Sequence, residues 1–204
     1  MSDAPHPAGW VTPPPTQLMT GDERIAGVGA TVRDFWAWTL SDLRTNTVRP
    51  MLAEFLVARA LGAAHRPRVE WDAYDVLTPD GIKVEVKSGA YLQAWAQSRP
   101  SVITFGGLSA RTWTPQTDYT PARSYNADVY VFAVVTATEH AAYDALDIGQ
   151  WSFWVLPRLV VEATGQQSLR LSRVEALAGS TVAYADLADR VHAAAQRNGD
   201  RPQP

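Results

Sequence analysis

Asp75, Glu85 and Lys87 are the residues of this sequence whose types and spacing best suit chemistry. Two carboxylates directly opposite each other on neighbouring strands repel, at a cost of about 0.2–1 kcal/mol. A cation between them removes that cost. Oxygen donors of this kind suit Mg²⁺, with Mn²⁺ as a substitute, bound through one or two carboxylates plus waters and a substrate phosphate.

The stretch that must position them runs from Trp71 to Trp95, WDAYDVLTPDGIKVEVKSGAYLQAW. It predicts two strands joined at Pro79-Asp80-Gly81. Proline presets φ for the first turn position, aspartate can bond its own backbone, and glycine takes the left-handed position without a Cβ clash. A three-residue loop of this type pairs Thr78 with Ile82. That register sets Leu77 opposite Lys83, Asp75 opposite Glu85, and Ala73 opposite Lys87. Side chains alternate along a strand. Asp75, Glu85 and Lys87 therefore share one face, Asp72 takes the other, and Ile82, Val84 and Val86 form an apolar reverse side.

Asp75 followed by Glu85-Val86-Lys87 resembles the D…(D/E)-x-K signature of the PD-(D/E)XK nuclease superfamily, the restriction-endonuclease-like fold. Tyr74 stands where the motif's proline would be, so a place for Asp72 instead of Asp75 at the metal stays open. The nine-residue spacing between the two acids is ordinary for that superfamily, and Gln93 follows the lysine as a polar residue does in many members. The resemblance implies a Mg²⁺-dependent phosphodiesterase acting on nucleic acid, most readily DNA. It places the metal on Asp75, Glu85 and the Val86 carbonyl, with Glu54 at a second metal or a metal water. It makes Lys87 the residue that orients the attacking water and offsets phosphate charge. It gives Gln93 the positioning of water or phosphate.

Upstream elements support the hairpin. Thr31–Leu43 predicts a first helix, with Thr31 and Asp34 as a variant capping box. Thr47–Leu61 predicts a second, with Thr47 as N-cap, Pro50 harmless in the first turn, and Gly62 as the stop. Glu54 falls among Val57, Ala58 and Leu61. A half-buried carboxylate needs a partner, either the metal or a salt bridge to Arg59, Arg49 or a distant arginine. Downstream, 108–126 reads as a long loop without a clear period. It carries Arg111, Trp113, Arg123 and Tyr125, residue types that stack bases and pair phosphates, or that pin a loop to the core.

Further along, Asp128–Val135 reads as a strand buried on both faces and Trp151–Leu156 as another, stopped by Pro157. Glu139–Leu146 suits a short helix or turn, Ser168–Leu171 an edge strand, and Ser172–Ala178 and Tyr184–Gln196 two more helices. The expected fold is α/β, an α-β-β-β-α-β restriction-endonuclease-like core with a mixed sheet flanked by helices. One domain covers 21–198, preceded by a proline-rich arm over 1–20 and followed by a frayed tail over 199–204. The eight tryptophans are expected mostly as core and anchor residues.

Composition bounds the rest. Hydrophobic residues make up 46% of the chain, and cysteine is absent. This excludes disulfides and thiolate metal sites and fits a reducing interior. No apolar run approaches the ~20 residues of a membrane span, and no secretory signal is evident, which reads as cytoplasmic. The net charge of −3 argues against DNA binding by bulk charge. His6, His65, His140 and His192 lack ligand spacing, and the chain has no phosphate-loop motif or nucleophile elbow. The alternative to a nuclease is a non-catalytic module of the same fold, for binding or assembly. Many such enzymes cut both strands as dimers, so a homodimer is compatible, as are partner proteins of a defence or repair system.

Overall fold

A computed structural model describes residues 14–70, 72–114 and 118–198. Trp71, most of the proline-rich arm and the 199–204 tail lie outside the described residues. In chain order the elements are β1 (Arg24–Ile25), β2 (Ala30–Thr31), α1 (Val32–Leu40), α2 (Val48–Ala60), β3 (Val76–Leu77), β4 (Lys83–Ala90), β5 (Thr104–Phe105), β6 (Trp113–Thr114), β7 (Asp118–Tyr119), β8 (Val129–Val135), β9 (Trp151–Pro157), α3 (Arg158–Glu162), β10 (Leu169–Arg170), α4 (Leu171–Ala178) and α5 (Leu187–Gln196).

The centre is a mixed sheet in the order β3-β4-β8-β9, with β4 and β8 parallel and both outer pairs antiparallel. Every residue of β8 is buried, which its unbroken apolar run requires of a strand covered on both faces. Period-two alternation sorts the neighbours. Val84, Val86, Val131, Ala133, Phe153 and Val155 pack on one side with Ala53 and Val57 of α2 and Leu187 and Val191 of α5. Tyr130, Phe132, Trp154 and Leu156 pack on the other with Phe105, Leu108, Leu169 and Val174. The mixed sheet flanked by helices is the expected architecture.

Local chemistry explains most boundaries. Thr31 and Asp34 close a capping box at α1, Asp34 Oδ2 accepting from the Thr31 amide at 2.8 Å. Gly62, at φ +67°, ends α2. Thr47 is the N-cap residue of α2, as expected, but its backbone is already helical and its hydroxyl makes no capping bond. Thr45 Oγ1 instead accepts the Val48 N–H at 3.1 Å. The first helix stops at Leu40, three residues short of Leu43. Proline does not stop the third long strand, because β9 includes Pro157, which then caps α3. The long loop is partly structured, by the β6–β7 ribbon and an Ala110–Ser124 bridge. Residues 139–146 form turns.

The tryptophans depart most from expectation. Trp151 and Trp154 are buried, but Trp36, Trp38, Trp95 and Trp113 are exposed, Trp38 at 85%. Composition alone carries no information about which face of an element a ring occupies.

Candidate active site

The hairpin register holds as read from its turn. Leu77 pairs with Lys83 and Val76 with Val84, and the Thr78 amide donates to Ile82 O at 3.0 Å. Gly81 takes φ +93°, the left-handed value that makes glycine necessary there. Thr78 is buried, and its Oγ1 accepts from the Ile82 amide at 2.8 Å. The pairing thins toward Ala73, since β3 begins only at Val76. One bond continues it: the Asp75 amide donates to Val84 O at 3.1 Å.

That bond delivers the Asp75 carboxylate to β4, where Oδ2 accepts the Val86 N–H at 2.7 Å. Glu85 and Lys87 project from the same face, beside Tyr130 and Phe132 in the adjacent parallel strand. Lys87 Nζ lies 2.6 Å from Glu85 Oε1. Glu54 reaches the group from α2, and both its oxygens are engaged by Arg68 through Nε and Nη2, the latter at 3.3 Å. The buried glutamate therefore has its distant arginine.

The electrostatics follow from burial. Desolvation pushes Asp75 above the ordinary carboxylate range, opposed by the Val86 amide and the charges of Lys87 and Arg68. Burial and the charge of Asp75 push Glu85 up, opposed by Lys87. Burial likewise raises Glu54, opposed by its bond to Arg68. Three acids thus share two cations.

Asp75 and Glu85 line a cavity of about 240 Å³ with Glu70, Asp72, Arg111, Trp113, Tyr119 and Tyr130 among its walls. Its roof is the segment after β5. Gly107 there takes φ +67°, and a Cβ on it would stand 3.5 Å from Lys87 Nζ. Tyr130 donates its hydroxyl to Leu108 O at 2.8 Å, fixing the roof to the sheet.

The other predicted residues are placed differently. Arg111 and Trp113 reach the cavity. Arg123 forks onto Ser109 O at 2.8 and 3.2 Å, and Tyr125 donates to Gln166 O at 3.0 Å and packs edge-on against Tyr130. These two pin the loop. Gln93 is buried, its amide nitrogen donating to Ala90 O at 3.2 Å and Ser101 Oγ at 3.1 Å, its oxygen 3.5 Å from Arg49. It braces the chain leaving β4. Sequence reasoning passed over Arg68 and Tyr130. The alternation that placed Glu85 could have flagged Tyr130, but nothing local distinguishes Arg68 from the neighbouring arginines.

The donor set bears on a divalent cation. Among the described residues no three His, Cys, Asp or Glu side chains group as a ready ligand cage. What the site offers is two hard carboxylates, each destabilised by burial, facing one cavity. That fits Mg²⁺ or Mn²⁺ held by two protein carboxylates with solvent and phosphate completing the shell.

No curated protein matches the chain. The model of the bacteriophage T4 endonuclease IV family matches residues 37–171, about two-thirds of the chain, from α1 through the hairpin and roof to the first residue of α4. That span contains every residue of the acid–lysine group, and the chain belongs to the bacteriophage T4 endonuclease IV family.

Proposed function

We propose that this chain is a divalent-metal-dependent nuclease of the PD-(D/E)XK type that hydrolyses phosphodiester bonds in DNA. Family membership supports a nuclease acting on DNA. The observation that carries the finer reading is the meeting of Asp75, Glu85 and Lys87 on one sheet face, with both acids lining a cavity that Arg111 and Trp113 also line.

Asp75 and Glu85, with the Val86 carbonyl, would hold Mg²⁺ or Mn²⁺, and Glu54 stands behind them. The cation, when bound, supplies Lewis-acid polarisation of the scissile phosphate. The remaining work belongs to the chain. Lys87 sits 2.6 Å from Glu85, where its ammonium orients the attacking water and offsets charge growing on the phosphate oxygens. Arg111 pairs with backbone phosphate and Trp113 gives a stacking surface. Gln93 acts from behind, holding the end of β4 in register.

A second reading, a non-catalytic binding or assembly module, is favoured by one observation: Glu85 and Glu54 already hold cationic side chains. Two measurements separate the readings. The nuclease cuts plasmid, linear or single-stranded DNA in Mg²⁺ or Mn²⁺ and loses that activity in Lys87→Ala. It also shows a Mg²⁺-dependent thermal shift that Asp75→Asn and Glu85→Gln abolish. Inactivity on all three substrates, or a fully active Lys87→Ala, leaves the binding module.

A further inference from the structure

Arg68 has no task in the reading above, yet it makes the most intimate contact with Glu54. Its Nε and Nη2 take both carboxylate oxygens. The two ends of the pair differ in their anchorage. The Glu54 side chain is 9% exposed within the packing of α2, whereas that of Arg68 is 39% exposed. Arg68 comes from the irregular chain between α2 and β3, two residues before Glu70, which lines the acid cavity. Its charge is felt by Asp75 and Glu70 as well, and both line that cavity.

A guanidinium fork matches a carboxylate and a phosphate equally well, with two parallel N–H bonds to either. A divalent cation drawing on Glu54 competes with Arg68 for the same oxygens. A displaced Arg68 stays beside Asp75 and Glu70, two acids that line the cavity, and its fork is then free to take a phosphate there.

We propose that Arg68 is a DNA-contacting residue of this site. In the metal-free protein it holds Glu54 in the cation's stead. When metal binds, it exchanges that carboxylate for non-bridging oxygens of a DNA phosphate. The proposal rests on the nuclease reading. The exchange keeps two charge-assisted bonds on the guanidinium throughout. It also couples the two ligands: metal binding releases the DNA-gripping group, and by reciprocity DNA strengthens metal binding.

The test uses the full chain, Arg68→Ala and Arg68→Lys, and Lys87→Ala as a background that does not cut. Without DNA, Mn²⁺ titration followed by thermal shift should show several-fold tighter binding in Arg68→Ala, because the competitor is gone. In the Lys87→Ala background with Mn²⁺, adding Arg68→Ala should weaken DNA binding about 10-fold. The slope of log affinity against log salt should become shallower by about one. In the cutting protein kcat/KM should fall about 10²-fold. Arg68→Lys should restore the Mn²⁺ midpoint and recover part of the DNA affinity. A merely structural arginine cannot produce effects of opposite sign, since its loss weakens both ligands together. Weaker Mn²⁺ binding in Arg68→Ala, or unchanged DNA affinity and salt slope, overturns the exchange and leaves the nuclease reading standing. A wild-type protein that neither binds Mn²⁺ nor cuts DNA overturns both.

Discussion

Lys87 is the residue on which the site turns, because it is the cation closest to Glu85 and lies under the roof at Gly107. Replacing it with alanine should lower kcat for DNA cleavage by at least about 10²-fold, the usual cost of removing one preorganised charge-stabilising group. Single-turnover cleavage under saturating Mg²⁺ measures this directly. The acids give a second prediction, for the metal-free protein in chelator. Asp75, Glu85 and Glu54 all have raised folded-state pKa values. The folded protein therefore binds more protons than the unfolded chain between the ordinary carboxylate pKa and the raised ones. The linked stability is fully present below that interval and is lost as pH rises through the raised values. Denaturant midpoints in chelator should thus increase as pH is lowered from neutrality toward the ordinary carboxylate range, until other groups titrate. Glu85→Gln should flatten that rise. A midpoint that only falls on acidification contradicts the burial of these acids.

At the scale of elements, the hairpin was legible in the sequence because its determinants are local. Pro79, Asp80 and Gly81 specify the turn, the turn specifies the register, and the register carries Asp75 to Glu85. The buried strand β8 was legible for a similar reason, since a run of apolar residues leaves no polar face. What stayed hidden depends on tertiary packing. The Thr45 hydroxyl, rather than that of the N-cap residue Thr47, takes the Val48 N–H. Arg68 reaches Glu54 across 14 residues of chain, and Arg123 and Tyr125 bond to backbone carbonyls and do not line the cavity. Gly89 shows the same kind of hidden constraint. It sits on the Glu85–Lys87 face of β4, and a Cβ there would come 2.6 Å from Ile103 Cγ2. Ile103 is itself buried in one cluster with Phe105 and Leu108, so relief must shift β5 and with it the roof segment that follows. Gly89→Ala should cost about 1–3 kcal/mol by overpacking. Because the roof that follows β5 covers Lys87, cleavage should fall by more than the folded fraction alone accounts for. Urea denaturation and cleavage rates on one preparation check both halves of that expectation.

Across the whole molecule, a net charge of −3 means that affinity for DNA cannot come from overall attraction. It must come from a few cations placed where the backbone lies. The structure divides the arginines of the 108–126 segment into two kinds. Arg111 is exposed, makes no hydrogen bond or ion pair among the described residues, and lines the cavity with Asp75 and Glu85. Arg123 spends its fork on Ser109 O and so holds the segment closed. The two should therefore fail differently when replaced by alanine. Arg111→Ala should leave the thermal midpoint nearly unchanged, reduce DNA affinity, and make its salt dependence shallower by about one ion. Arg123→Ala should lower the midpoint, because Ser109 O loses both of its donors and the bridge at Ala110–Ser124 loses its brace. Its salt slope should match the wild type, since no phosphate contact is removed. Equal salt slopes for Arg111→Ala and the wild type would move the DNA path away from this cavity.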